Sequence, residues 1–135
     1  MRLPGRRRRE GPESPPSAVL PLDLDLSPTP YGARLTIGGE LDLATTPRVR
    51  AALASLALTT GETLVVDLSD VTFMDSTGLA VFLGLQRDLR ARGIRLLTAC
   101  PEGAARLVVE VAGVEDELGI HPTLEAAETA ARAVP

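Results

Sequence analysis

Hydrophobic and polar residues alternate along this chain in short blocks, first with the period of strands. Leucine occupies every second position from Leu20 to Leu26, which is the pattern of a half-buried strand. The segment SPTPYG follows and is typical of a turn, and ARLTIGG then places Leu35 and Ile37 on one face. The two runs predict a β-hairpin.

A helix is predicted after the hairpin. Thr45 or Thr46 can cap it, and Pro47 suits the first helical position. The helical pattern continues through RVRAALASLAL, as far as Leu58. The apolar run Leu64–Leu68 is then typical of a buried strand of a parallel sheet.

The second half of the chain continues to alternate helices and strands. Residues Ser76–Arg92 predict an amphipathic helix that stops at Gly93. The remaining predicted elements are a strand over IRLLTA, a helix after Pro101 through EGAARLVVEVAG, a short strand around Leu118–Ile120, and a terminal helix, TLEAAETAARA, capped by Thr123.

This order of elements predicts the fold class. Strands joined through single helices imply right-handed crossovers and a mainly parallel sheet, to which the hairpin adds an antiparallel edge. We expect an α/β fold with a mixed, mostly parallel sheet of four to five strands and about four helices. The expected core residues are Val65, Val66, Leu68, Phe73, Leu79, Phe82, Leu96 and Leu97.

The beginning of the chain differs from the rest. Residues 1–13 contain five Arg and two Glu, a net charge of +3, and four prolines lie within the first 16 residues. Because such a segment has little apolar surface to bury, we predict a disordered Arg/Pro-rich extension at residues 1–18 and one domain at residues 19–135. A basic arm that contacts an anionic surface and a misassigned start codon are the other interpretations.

Composition excludes several classes of function. The net charge of −4 and an aromatic content of 2% without Trp argue against direct nucleic-acid binding. The chain has no Lys, one Cys (Cys100) and one His (His121), which excludes a lysine Schiff base, an internal disulfide and a Cys-rich metal site. We expect Cys100 to be a small buried hydrophobe. No secretory signal or membrane-length apolar run is visible, so we expect a cytoplasmic protein without a membrane span.

The most informative segment is VTFMDSTGLAVFLGLQRDLRARG. The predicted strand Leu64–Leu68 leads through a loop into a helix that begins at Asp75-Ser76-Thr77-Gly78. In open α/β sheets, sites form beyond the carboxyl ends of the strands, where helix N-termini offer unpaired N–H groups. Ser76 can cap the helix and also present its hydroxyl to a partner, and Gly78 would leave room for an approaching surface. From these residues alone, a simple helix cap is the favoured interpretation.

Three segments resemble one protein family. FMDSTGLAVFLGLQRDLRARG is similar to the central signature of the STAS domain, in particular that of bacterial anti-sigma factor antagonists. GELD at Gly39–Asp42 resembles the second signature of that family, and RLVVEVAGVEDELGIHPTLEAA resembles its closing pattern. The resemblance covers roughly residues 19–130 and implies a STAS-like sandwich.

The resemblance implies a binding switch controlled by phosphorylation. The unphosphorylated form would bind an anti-sigma factor with serine kinase activity and so release a sigma factor. Phosphorylation of Ser76 would end binding, and a serine phosphatase would reset the cycle. ATP and magnesium would belong to the kinase, so the chain would need no cofactor and would not be an enzyme. The implied partner-binding residues are Asp42, Asp75, Ser76, Thr77, Gly78 and Leu79.

Two other functions remain open at this point. The first is a STAS interaction module without a switch, in a signalling assembly or a lipid-transport complex, where Ser76 only caps the helix. The second is a small hydrolase built on Ser76 and His121, although no G-x-S-x-G elbow supports it. Arg87, Arg90 and Arg92 are expected on a solvated helix face rather than in a phosphate clamp.

Overall fold

The computed structural model of the chain describes residues 22–133, so the predicted extension at residues 1–18 lies outside the described residues. Its strands are β1 (Leu22–Thr29), β2 (Gly32–Leu41), β3 (Thr63–Met74), β4 (Arg95–Ala99) and β5 (Ile120–His121). Its helices are α1 (Thr46–Ala54), α2 (Ser76–Ala91), α3 (Ala104–Ala112), α4 (Glu115–Leu118) and α5 (Leu124–Arg132).

The strands form one sheet in the order β1-β2-β3-β4-β5. β1 and β2 pair antiparallel, and the other neighbours pair parallel, so the predicted α/β fold with an antiparallel edge is confirmed. The hairpin turn is shorter than SPTPYG, because the strands run to Thr29 and resume at Gly32. Gly32 has φ of 148°, and a β-carbon there would lie 2.2 Å from the carbonyl oxygen of Thr63. Only glycine fits this position.

Helices cover the two faces of the sheet unequally. One face packs against α1, α2, α3 and α4 in a large core centred on the fully buried Leu35, Ile37, Leu64 and Val66. The opposite face packs against α5 in a smaller core made of Val65, Leu97, Ala99, Ala127 and Ala131. The result is a two-sided sandwich in which one side holds most of the buried apolar surface.

Polar side chains join α5 to the hairpin. The Tyr31 hydroxyl and the Arg34 guanidinium each donate a hydrogen bond of 2.7 Å to the same oxygen of Glu128. Burial, followed by the hydrogen bond to Glu128, raises the pKa of Tyr31 to about 12. Burial alone would raise the pKa of Glu128, but the bonds from Tyr31 and Arg34 outweigh it and hold that pKa below its ordinary value. This cluster connects the two ends of the described sequence.

Two element boundaries were predicted wrongly. α1 ends at Ala54 rather than Leu58, where the Ser55 hydroxyl donates to the Ala52 carbonyl at 2.7 Å and competes with the next helical bond. The residues around Leu118 form the short helix α4, which the sequence analysis did not predict. Gly119, with φ of 60°, ends this helix and moves the last strand to Ile120–His121.

β3 is longer than predicted and corrects one core assignment. The segment after Leu68, expected to be a loop, continues the strand to Met74. Its pairing with β2 shifts register twice, which places an extra residue in β3 each time. Met74 points into the main core, whereas Phe73, expected in the core, is 44% exposed. Phe73 lies beyond the part of the sheet that α5 covers. The other expected core residues are buried.

Candidate functional site

The candidate site lies where two adjacent parallel strands end together. Leu41, the last residue of β2, pairs with Met74, the last residue of β3. Asp42 and Asp75 are therefore the first residues beyond the sheet on neighbouring strands. The backbone N–H of Asp75 donates to the carbonyl of Leu41 at 3.1 Å, which joins the two chain exits.

Asp75 caps α2. Its backbone is extended, with φ of −109° and ψ of −173°, and its Oδ1 accepts hydrogen bonds from the N–H groups of Thr77 at 2.9 Å and Gly78 at 3.1 Å. These bonds satisfy two of the unpaired donors at the helix N-terminus and place a negative charge at its positive end. The sequence analysis proposed Ser76 as a cap of the helix, whereas in the structure Asp75 caps it.

Asp42 organises its own loop in a similar way. Its Oδ1 accepts from the N–H groups of Ala44 at 3.0 Å and Thr45 at 3.1 Å. Thr45 occupies the N-cap position of α1, but its side chain makes no cap bond. Thr45 as a whole is 1% exposed. Its hydroxyl instead donates to the carbonyl of Glu40 at 2.7 Å and accepts from the Asp42 N–H at 3.0 Å. Both loops are thus fixed by their own side chains.

Ser76 is the first residue of α2 and is exposed, while Thr77 is half-buried. Because Asp75 already accepts from the first helical N–H groups, the Ser76 side chain is not needed as a cap. No side chain in residues 22–133 hydrogen-bonds to its hydroxyl. The structure therefore brings Asp42, Asp75, Ser76 and Thr77 to one edge of the sheet, with the Ser76 hydroxyl facing outward.

Gly78 and Leu79 do not belong to that exposed surface. Both are buried in the free domain, and their role in partner binding stays a prediction. A β-carbon on Gly78 would lie 2.9 Å from the Leu41 carbonyl oxygen and 2.9 Å from the Met74 Cγ, so glycine allows α2 to start close to the strand ends. Leu79 packs in the main core. Gly78 and Leu79 hold the first turn of α2 against the strand ends and the main core, and so fix the position of Ser76.

The sequence analysis missed Leu43, which is 75% exposed between Asp42 and α1. The sequence does contain a signal for it, because Leu43 is an apolar residue in a short loop and fits neither the strand period nor the helix period.

The remaining candidate residues lie on or next to other strands or further along α2. Cys100 is buried as predicted, and burial raises the pKa of its thiol. Arg87 and Arg90 are exposed on α2, and Arg92 donates to the Leu58 carbonyl at 3.0 Å. His121 lies in the edge strand β5. Across residues 22–133, no three metal-ligand side chains cluster, and none of the helices there has the length and apolar character needed to cross a membrane.

Comparison with known proteins identifies relatives of this chain. The family model of the STAS domain matches residues 28–127. The anti-sigma-B factor antagonist of Listeria monocytogenes is 36% identical over 84 residues, which cover 62% of this chain and 74% of the relative.

Solved structures show the same architecture. An anti-sigma factor antagonist from Mycobacterium paratuberculosis matches with a TM-score of 0.71 and 26% identity, over 83% of this chain and 95% of that protein. SpoIIAA, the anti-sigma factor antagonist and cell fate determinant of Bacillus, matches in both of its forms. The unphosphorylated form has a TM-score of 0.61 and 25% identity over 83% of this chain and 99% of that one. The phosphorylated form has a TM-score of 0.60 and 27% identity over 81% and 99%.

Proposed function

This chain belongs to the STAS domain family, and from that membership we propose that it is an anti-sigma factor antagonist whose binding is switched by phosphorylation of Ser76. In this proposal it acts as a binding regulator in the cytoplasm. Its partners are an anti-sigma factor with serine kinase activity and a serine phosphatase.

The observation that carries the proposal is the exposed hydroxyl of Ser76 beside a carboxylate that already caps the helix. A kinase can reach this hydroxyl without unfolding α2. In the transfer, the Ser76 oxygen bonds to the γ-phosphorus of ATP as the bond between that phosphorus and the leaving ADP breaks. The hydroxyl proton passes to a base of the kinase or to water. The nucleotide and its magnesium belong to the partner.

Phosphorylation acts through the surface rather than through the fold. The new group adds about −1.5 to −2 charges at neutral pH, at the helix terminus where anions are tolerated. Asp75 and Asp42 lie on the same edge, so the local negative charge rises sharply. A kinase that transfers phosphate to Ser76 must hold the ATP phosphates opposite it, and the phosphorylated product then places anion against anion. The complex dissociates while the domain stays folded.

The test uses the full chain as wild type and as Ser76→Ala, Ser76→Asp and Thr77→Ala. Each form is incubated with ATP, magnesium and each candidate kinase-type anti-sigma factor of the source genome. Intact mass measures phosphoryl transfer, and titration calorimetry measures binding. We expect one phosphoryl group on wild type and on Thr77→Ala, and none on Ser76→Ala. We expect binding by unphosphorylated wild type and by Ser76→Ala, but not by Ser76→Asp or by the phosphorylated protein.

Equal affinity of wild type, Ser76→Asp and the phosphorylated chain for the same anti-sigma factor would contradict the switch. Binding by none of the candidates would contradict the antagonist function itself. Ser76→Ala is the matched control for folding, since it removes one exposed oxygen and no cap bond.

A further inference from the structure

An exposed leucine lies on the same edge of the sheet as Ser76. Leu43 is 75% exposed, although a side chain of this size usually finds some cover in a folded domain. Isolated exposed apolar residues are common and need no special explanation. The significance of Leu43 therefore depends on how it is held, where it lies and which charges surround it.

The backbone of the loop fixes Leu43 in place. The carbonyl oxygen of Asp42 accepts from the N–H groups of Thr45 at 3.2 Å and Thr46 at 3.0 Å, while its carboxylate accepts from Ala44 and Thr45. Leu43 lies at the tip of this bonded turn. A partner that covers its side chain therefore has little loop entropy to remove, which is the condition for an efficient hydrophobic anchor.

Leu43 lies close enough to Ser76 for one partner surface to cover both residues. Leu43 lies two residues beyond Leu41, and Ser76 lies two residues before Gly78, which is in contact with Leu41. At about 3.8 Å for each Cα step, the two residues are separated by less than about 20 Å. A typical interface buries roughly 800 Å² on each partner and spans more than this distance. An interface of ordinary size centred on Ser76 is therefore large enough to cover Leu43 as well.

The charges on this edge indicate what the partner presents. The segments that join β2 to α1 and β3 to α2, residues 42–45 and 75, include Asp42 and Asp75 but no Arg or Lys. The next cation along the chain, Arg48, donates to the Leu22 carbonyl at 3.0 Å. An apolar side chain within an acidic rim is complemented by an apolar pocket within a basic rim.

We propose that Leu43 is the hydrophobic anchor of the partner surface and inserts into an apolar pocket, bordered by Arg or Lys, on the anti-sigma factor. This inference rests on the proposed function and assigns a residue outside the Ser76 motif to the same interface. The anchor provides affinity, whereas Ser76 makes that affinity dependent on phosphorylation.

The experiment compares two leucines that are both largely exposed. Leu107, on α3, is 60% exposed and serves as the matched control for Leu43. Titration calorimetry with the anti-sigma factor that binds the wild-type chain is carried out on Leu43→Ala, Leu43→Met and Leu107→Ala. We expect the Kd to rise at least tenfold for Leu43→Ala, to stay within threefold for Leu43→Met, and to stay within twofold for Leu107→Ala.

The outcomes separate this inference from the function on which it rests. If wild type binds, Ser76→Asp does not, and Leu43→Ala binds as tightly as wild type, the anchor is overturned while the switch survives. If Leu43→Ala and Leu107→Ala weaken binding equally, the effect is not specific to this edge and the anchor is again overturned. If no anti-sigma factor binds wild type, both the function and the anchor are overturned.

Discussion

The carbonyl oxygen of Leu41 lies 2.9 Å from the point where a β-carbon on Gly78 would be placed. The end of β2 and the first turn of α2 are therefore packed as closely as a glycine allows. This contact determines where α2 begins, and with it the position of Ser76 relative to Asp42.

Gly78→Ala is expected to destabilise the domain by about 1–3 kcal/mol, because the added methyl group meets backbone that cannot move freely. Gly84→Ala, on the same helix, is the control, since a β-carbon there has no neighbour within 4 Å. It should stabilise by up to about 1 kcal/mol through the better helix propensity of alanine. Urea unfolding of both variants measures the difference, and equal effects would argue against the close contact.

The capping role of Asp75 can be separated from its charge. Asp75→Ala removes the acceptor for two N–H groups and should cost about 1–2 kcal/mol of unfolding free energy. Asp75→Asn keeps a capping oxygen and should lose only a few tenths of that amount. The midpoint of chemical denaturation distinguishes the two variants, and a loss in Asp75→Asn as large as in Asp75→Ala would show that charge, not capping, is what matters.

The two phenylalanines should differ sharply when truncated. Phe82 is 2% exposed in the main core, so Phe82→Ala is expected to cost about 3–5 kcal/mol. Phe73 is 44% exposed, and Phe73→Ala should cost about 1 kcal/mol or less. Thermal unfolding followed by circular dichroism compares them directly. Similar losses of stability in both variants would show that Phe73 is buried in the core after all.

Much of the fold follows from local pattern, and the exceptions arise from tertiary contacts. Leu22, Leu24 and Leu26 form the predicted buried stripe, and α2 begins at Ser76 as its capping residues indicate. The exposure of Phe73 depends on how far α5 extends across the sheet, which no local period encodes.

The site was predictable to a similar extent. Asp42 and Asp75 each follow a strand, and parallel pairing brings such residues together. The burial of Gly78 depends instead on the distance between α2 and the end of β2. In a sequence, a glycine near a candidate site is equally consistent with room for a partner outside the domain and with close packing inside it. Here it opens space inward, toward Leu41.

The Glu128 cluster gives a pH-dependent contribution to stability. Because the pKa of Glu128 is lowered by folding, its contribution is fully present above the ordinary carboxyl pKa and is lost as pH falls through the folded value. Glu128→Gln should therefore be less stable than wild type by about 1–2 kcal/mol at neutral pH, and the gap should close in acid. The raised pKa of Tyr31 predicts a further loss between pH 10 and about 12. Denaturation midpoints across pH measure both effects. A stability difference between wild type and Glu128→Gln that does not change with pH would contradict the proposed contribution of the cluster.

The small core beneath α5 has a consequence for how the molecule opens. Three of its five buried members are alanines, so detaching α5 exposes much less apolar surface than detaching α2. The backbone amides of α5 should exchange with solvent through a partial opening, at a lower opening free energy than the amides of β3. The edge that carries Asp42 and Asp75 is built on the other layer and stays intact during this fluctuation. A modification of α5, or a second protein that binds it, would therefore change how often this helix detaches. The surface formed around Asp42 and Asp75 would stay the same.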